Sequence, residues 1–507
     1  GLDSGRELSA GDEARHWARV FATHLEATAQ RWRQRLAGVD FQLPPGGREL
    51  LDTALANLAF TLINRDGPAL QPGARAYQRA WIRDGAMMAT ALLRLGKVEE
   101  VKQFARWYAT YQYPSGKVPC CVDHRGADPV PEHDSDGQFI FLVAETVRLT
   151  GDRALAAELW PAVRAAAGHI DALRAQRRTD EYRRGEAQRF FGLLPESISH
   201  EGYSAKPMHS YWDNFWALRG LADAAALAQM LGHGDDVARL VASWDQLRSD
   251  LVTSLQLTMG HHGIDYLPGC AELGDFDPTS TTVALAPLGI AHWLPAEALE
   301  RTFEAYWERF VARRDGSTPW REYTPYELRA VGAFFRLGWR ERAWELLEWF
   351  MAHRQPPAWR QWPEIVWRDS RTARFVGDLP HTWVGSDFLR AFLDIFAFER
   401  GEDGALVLAA GVPAAWLEGG ETVGVTGLRT SYGPLTYSLV GGEGKIEVRV
   451  EAGLGMPPGG VAVALPGIPP GWEASANGEK LRANGRGEFM LQELPAQVLV
   501  VRPRGTP

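Results

Sequence analysis

Apolar residues recur at three- and four-residue spacing through most of the first 400 positions, as in Leu50, Leu51, Ala54, Leu58 and Leu62. That period marks helices with one buried face. It predicts a charged, amphipathic N-terminal helix near 11–36. About twelve more helices follow, at roughly 47–64, 80–95, 98–112, 135–150, 153–175, 210–231, 235–257, 280–288, 296–312, 324–337, 339–353 and 382–399. After about residue 404 the pattern changes, and runs such as LTYSLVGG, KIEVRVEA, GGVAVALPG and AQVLVVRP alternate with Gly- and Pro-rich turns. Short strands between turn signals predict a small antiparallel β-sandwich.

The connections between the helices fall into two classes. Those after the even-numbered barrel helices are short, and most carry a glycine stop signal, at Gly96, Gly151, Gly232 and Gly338, with a looser version around Gly289. A glycine just past a helix end takes the left-handed conformation that closes the last turn. The connections after the odd-numbered helices are long, and loops beyond about 12–15 residues are usually functional. Antiparallel helical hairpins put all the long connections at one end. Six such hairpins suit a closed double ring. The expectation is a mainly α protein, an (α/α)6 barrel or six-hairpin toroid, with a C-terminal β-sandwich. Its segments are an N-terminal helical linker at 1–46, a catalytic barrel at 47–400 and the β domain at 401–507.

Composition narrows the partners. A net charge of −9 argues against a nucleic-acid or anionic-membrane surface and favours a small neutral partner. No stretch is apolar enough to span a membrane. Cys120, Cys121 and Cys270 offer no disulfide framework, which favours a reducing compartment. The first 20 residues are polar and do not read as a signal peptide. A cytoplasmic location is the expectation, with a processed secreted form as the alternative. No metal-ligand spacing such as HExxH, CxxC or a calcium loop occurs, so neither metal nor cofactor is expected. The 20 tryptophans are the compositional oddity. Many belong to the core, but several stand in polar loops, where a flat aromatic face can stack on the apolar face of a sugar.

The unusual polar chemistry gathers on the long-loop side. In YQRAWIRDGAMM, Trp81 precedes Arg83 and Asp84, a donor and an acceptor able to grip vicinal sugar hydroxyls; a plain ion pair at a helix start is the bland alternative. DPVPEHDSDGQF carries Glu132 and Asp136 ahead of a helix, and reads equally as a capped helix start. The stretch 192–220 holds Glu196, Glu201, Trp212 and Asp213. GCAELGDFDPTSTT holds Asp277, Thr279 and Ser280, a set that also suits a helix cap, and PWREYTPYELR holds Trp320. QWPEIVWRDSRTARFVGDLPHTWVGSDFLRAF places Glu364 between Trp362 and Trp367, followed by His381 and Trp383. Trp359, Trp362 and Trp367 are expected to surround Glu364, tune its acidity and pack the sugar. Glycoside hydrolysis needs two carboxyl groups across the scissile bond, and these loops supply them.

These motifs resemble the six-hairpin glycosidases, of glucoamylase and α-L-rhamnosidase type, over roughly 47–399. WIRDGAMM is similar to the segment that holds the terminal sugar in glucoamylases, and QWPEIV…LPHTWVGSDF to their base-bearing glutamate and the Thr-Trp helix after it. The resemblance implies Glu364 as general base; with the loop aromatics and polar groups above, Trp81, Arg83, Asp84, Glu132, Asp136, Trp212, Trp320, Trp362, His381 and Trp383 are expected around the substrate. It leaves the acid open among Glu196, Glu201 and Asp213, with Glu201 and Glu196 nearly level. The rhamnosidase Arg-Glu-Arg acid motif is replaced by RAYQRAW, which counts against rhamnosidase activity. The function expected is an inverting, exo-acting glycoside hydrolase for a neutral oligosaccharide or glycoside. A glycoside phosphorylase on the same barrel, a polysaccharide lyase and a non-catalytic carbohydrate-binding toroid are the alternatives.

Overall fold

The structure, a computed structural model, describes residues 10–75, 77–373, 376–468 and 472–502. The first nine residues of the expected linker and the last five of the β segment lie outside them. Helix α1 (Ala10–Leu36) is mostly solvent-exposed and packs on the core through Trp32 and Leu36. The barrel helices are α2 (Arg48–Ile63), α3 (Ile82–Arg94), α4 (Val98–Ala109), α5 (Ser135–Thr150), α6 (Arg153–Ala175), α7 (Tyr211–Leu231), α8 (Gly234–His262), α9 (Pro278–Thr281), α10 (Ala296–Arg314), α11 (Leu328–Arg336), α12 (Arg340–His353) and α13 (Thr382–Phe396).

Each predicted barrel helix has a counterpart, but the eighth is cut short. The expected helix at 280–288 is one α turn followed by a 3-10 turn at Thr282–Ala284. Asp277 starts it, accepting from the Ser280 N–H at 3.0 Å. Pro287 cannot donate a helical hydrogen bond and disfavours helix at the residue before it, so the segment stops.

The helices α3, α5, α7, α9 with its 3-10 turn, α11 and α13 pack in sequence, and α13 returns against α3 to close the inner ring. The other helices lie outside them. Burial follows this division: every residue of α13 is buried, whereas outer α6 and α8 bury one face. The inner ring is tight between α5 and α7, where a Cβ on Gly137 would stand 2.3 Å from the Trp216 carbonyl oxygen. At the plain end, Gly96, Gly151, Gly232 and Gly338 all have positive φ, from +70° to +83°, as the stop signals require.

Among the described residues the β domain has two sheets. One orders the strands Asp40–Gln42, Thr422–Thr430, Gly433–Gly442, Lys445–Val450, Ala496–Val501, Glu473–Ala476 and Glu479–Leu481. The other orders Phe489–Leu491, Val461–Val463, Leu406–Leu408 and Ala397–Glu399. All ladders are antiparallel except Val461–Val463 with Leu406–Leu408, which run parallel. The sequence pattern began the strands near residue 404; the structure adds Asp40–Gln42, which pairs with Gly424–Thr426 before the chain enters the barrel. Three residues are too short to show a period.

Candidate active site

Short turns at one end orient all the inner helices the same way, so their N-termini meet at the long-loop end. There Arg83 and Asp84 stand in the first turn of α3, Asp136 in that of α5, Asp213 in that of α7 and Arg329 in that of α11. The partial positive charge of helix N-termini favours carboxylates in such positions. A cavity of about 320 Å³ opens at this end. Ten of the residues singled out in the sequence line it: Trp81, Arg83, Asp84, Glu201, Glu364, His381 and Trp383, with Asp277, Thr279 and Ser280 of the helix-cap set.

Glu364 is held from three sides. Its N–H donates to the Asp378 carbonyl at 3.0 Å, and its own carbonyl accepts from Thr324 Oγ1 at 3.0 Å. The Tyr77 hydroxyl donates to its Oε1. Just beyond it, Val366–Trp367 pairs with Glu322–Tyr323 in a two-residue ladder that joins its loop to the one before α11.

Glu201 sits in a loop closed at its base by the Ser197–Met208 bridge. Glu201 and Ser199 have φ of +68° and +55°, left-handed conformations unusual for non-glycine residues. Such backbone persists only where the surroundings fix it. Here the Ser197 and Ser199 hydroxyls both donate to Asp213, and the Ser199 N–H donates to Ser197 Oγ at 2.8 Å. Glu201 Oε1 then accepts from the Trp81 indole N–H at 3.1 Å and lies 3.8 Å from Arg83 Nη2.

Arg83 is committed to protein. Nε donates to Asp84 Oδ1 at 3.1 Å and Nη1 to Glu132 Oε2 at 2.9 Å, while the guanidinium lies 4.7 Å over the Trp383 ring. Burial pushes the Asp84 carboxyl up to about 6, against the opposing pull of Arg83 and His381. Glu132 is pushed well up by burial too, and stands behind Arg83 rather than in the cavity wall. His381 Nε2 shares a 2.7 Å hydrogen bond with the Tyr326 hydroxyl.

The other candidates lie elsewhere. Glu196 pairs with Arg177 and lies 3.8 Å from His209 Nε2, outside the cavity. Asp213 is fully buried beneath the Glu201 loop, and burial pushes its carboxyl well up. Asp136 accepts from the Val118 N–H at 2.8 Å and contacts His169 Nδ1 at 2.6 Å. Trp212 is buried under His200, with its indole donating to Asp134 at 2.7 Å. Trp362 is buried against Phe388, and Trp320 packs with Tyr323, Trp349 and His353. Trp359 is exposed, and Trp367 lies under the Arg321 guanidinium. None of the tryptophans expected around Glu364 lines the cavity; its aromatic wall is Tyr77, Trp81, Tyr326 and Trp383.

Sequence reasoning did not select Tyr77, His200, Tyr326 or Arg329, all of which line the cavity. The signal for Tyr326 and Arg329 was their place at the start of an inner helix, the same feature that drew attention to Arg83 and Asp84. His200 stacks on Trp212 at 5.0 Å between centroids, and its Nε2 contacts Ser280 Oγ at 2.7 Å and Asp277 Oδ2 at 3.6 Å. Among the described residues no group of three or more His, Cys, Asp or Glu side chains is placed to hold a metal ion. No helix among them is long and apolar enough to cross a membrane.

No protein-family model matches the chain, and no curated protein matches it in sequence. Solved structures do. An α-L-rhamnosidase from Dictyoglumus thermophilum superposes with a TM-score of 0.63 at 11% identity, over 92% of this chain and 50% of that one. The α-L-rhamnosidase of Streptomyces avermitilis, complexed with L-rhamnose, gives 0.59 at 15% identity over 92% of this chain and 42% of that one. A glycosidase variant in complex with glucose gives 0.51 at 16% identity, over 70% of this chain and 99% of that one. The chain thus spans about half the length of the first of these. Together with the closed inner ring, the likeness shows a shared architecture: this chain folds as an (α/α) barrel with a β domain attached, as these solved structures do.

Proposed function

We propose that the chain is an inverting, exo-acting glycoside hydrolase, with Glu364 as general base and Glu201 as general acid. One observation carries the reading. Two carboxylates from loops far apart in sequence line one cavity, and a single segment supplies a donor to each, Tyr77 to Glu364 and Trp81 to Glu201. In this mechanism protonated Glu201 gives its proton to the glycosidic oxygen as the C1–O bond breaks. Water attacks C1 from the opposite face, and Glu364 takes the proton that the water releases. Trp81 and Trp383 offer apolar faces to the ring, while Asp84 accepts from a hydroxyl.

The cavity supports exo action on a neutral sugar. Its volume of about 320 Å³ lies at the small end of ligand pockets, which run from about 300 to 1,000 Å³, and suits one terminal ring. Among the described residues Asp84, Glu201, Asp277 and Glu364 line it against Arg83 and Arg329, a balance that disfavours an acidic sugar. The solved relatives complexed with L-rhamnose and glucose hold neutral sugars. In this reading the barrel at 47–400 carries the chemistry and the β domain at 401–507, joined by Asp40–Gln42, buttresses it.

A screen of aryl glycosides and disaccharides, followed by proton NMR of the first-formed product, tests the proposal. The expected result is a phosphate-independent release of sugar with the anomeric configuration inverted. Retention would sink the inverting pair, and turnover that requires phosphate would make the protein a phosphorylase.

A further inference from the structure

Among the described residues the cavity wall contains two arginines, and they are used differently. Arg83 spends Nε and Nη1 on Asp84 and Glu132, and its Nη2 faces Glu201 at 3.8 Å. Arg329 is 6% exposed and spends only Nε, which donates to Asp387 Oδ2 at 2.7 Å. Neither terminal nitrogen has a hydrogen-bond acceptor among the described residues, and Nη2 is sealed from solvent without one. Nη1 is not sealed in this way, and Arg329 is one of the residues that line the cavity.

Asp387 does not make up the deficit. It also accepts from Arg390, so one fully buried carboxylate serves two guanidiniums. The Arg329 guanidinium is fixed in orientation, lying 4.7 Å over the Trp383 ring and 4.8 Å over that of Tyr326. An anchoring role between α11 and α13 explains the Nε contact. It does not explain donors left unspent at a cavity wall, which are costly in a folded protein unless an acceptor arrives.

We infer that Arg329 is a sugar-binding residue of this cavity, donating through Nη1 to a hydroxyl oxygen of a neutral ring, while Arg83 organises the acidic wall. The inference rests on the glycosidase reading and adds to it the donor and the class of group it recognises. A neutral hydroxyl fits better than a carboxylate or phosphate, because four carboxylates share the wall with the two arginines. A hydrogen bond to a charged group is the kind whose loss changes affinity by about ten- to a hundredfold.

Binding of neutral monosaccharides, beginning with D-glucose and L-rhamnose, is measured by calorimetry on the wild-type chain, Arg329→Lys and Arg329→Met. Arg329→Lys keeps a cation beside Asp387, and in Arg329→Met the Asp387–Arg390 pair remains. The tightest sugar is expected to bind both variants at least about tenfold more weakly, with the thermal midpoint of Arg329→Lys near wild type. On the wild type, one monodeoxy analogue of that sugar should show the same loss, and should lose nothing further on Arg329→Met. If the variants fail to fold, the deoxy series on wild type remains, and full affinity for every monodeoxy analogue overturns the hydrogen bond from Arg329. Unchanged affinity in folded variants, with every monodeoxy analogue additive, overturns the role of Arg329 and leaves the glycosidase reading standing. Tighter Arg329-dependent binding of glucuronate or inorganic phosphate than of the neutral sugar overturns the class of ligand. If wild type binds no neutral monosaccharide, the glycosidase reading falls and the inference with it.

Discussion

The hydroxyl of Tyr77 donates to Oε1 of Glu364, joining the segment before α3 to the loop before α13 across the cavity mouth. Tyr77 is only half-buried, but burial and the nearby carboxylates push its hydroxyl far above its ordinary range, so it remains a donor at any working pH. The ring also lies 5.7 Å from Trp81, whose indole holds Glu201. Tyr77→Phe should keep the ring packing and lose the bond. We expect kcat/KM to fall about ten- to a hundredfold, as for a hydrogen bond to a charged group, with an unchanged circular dichroism spectrum. Activity within twofold of wild type would show that Glu364 needs no such support.

The acid and base assignments separate by leaving group. Glu364→Gln should lose roughly two to four orders of magnitude on every substrate. Glu201→Gln should lose as much on an alkyl glycoside or disaccharide, yet recover most of its rate on a dinitrophenyl glycoside, whose leaving group needs no proton. Steady-state rates on the two substrate types decide it. Equal defects on both in Glu201→Gln would remove Glu201 as the acid.

The scaffold was readable because it rests on local rules. Gly96, Gly151, Gly232 and Gly338 announced their turns, and the contrast of short and long connections followed from them. Which acidic side chain of 192–213 faces the cavity was not readable. That depends on the left-handed backbone at Ser199 and Glu201 and on the hydroxyls that fasten it to Asp213. The tryptophans misled for a related reason. Residue type shows that Trp362 and Trp212 are large and flat, but only packing shows that both are buried away from the cavity. Arg83 and Arg329 look alike in sequence, and only the structure shows that Arg83 donates to two carboxylates and Arg329, through Nε alone, to one.

The two remaining acids of the stretch 192–213 should behave differently from Glu201. Glu196 pairs with Arg177 outside the cavity, so Glu196→Gln should keep kcat/KM within about threefold, as for a rim ion pair. Asp213 fastens the Ser197 and Ser199 hydroxyls, so Asp213→Ala strands buried donors. It should cost about 2–3 kcal/mol of stability and lower activity through the loop that carries Glu201. Urea unfolding and kinetics on the same preparations check both. A stable Asp213→Ala with full activity would contradict the fastening role.

The inner ring makes a prediction independent of chemistry. A Cβ on Gly137 would stand 2.3 Å from the Trp216 carbonyl oxygen and 2.8 Å from the Ala217 nitrogen. Backbone cannot move aside as a side-chain tip can. Gly137→Ala should therefore push α5 from α7 and cost about 1–3 kcal/mol or more, seen as a lower midpoint in urea. Wild-type stability would mean that the helices pack less tightly than described.

Asp84 should give the protein a pH response. Burial, opposed by Arg83 and His381, raises its carboxyl to about 6. Below about pH 6 it is protonated and no longer a full acceptor for Arg83 and a sugar hydroxyl. Wild-type kcat/KM should fall as pH drops through that value, and Asp84→Asn should be weak but flat there. Stability should run the other way. Between about pH 4, where an unfolded aspartate ionises, and about pH 6, the folded chain keeps a proton that the unfolded chain has lost. The folded state is favoured by that proton at the low end, and the advantage disappears as pH rises through the window. For a shift from 3.8 to about 6, the stability of wild type relative to Asp84→Asn should decline by about 3 kcal/mol across it. Urea unfolding of both proteins at several pH values in this range measures the slope. A relative stability that rises with pH would mean that the pairing with Arg83 outweighs burial and that Asp84 is an ordinary buried carboxylate.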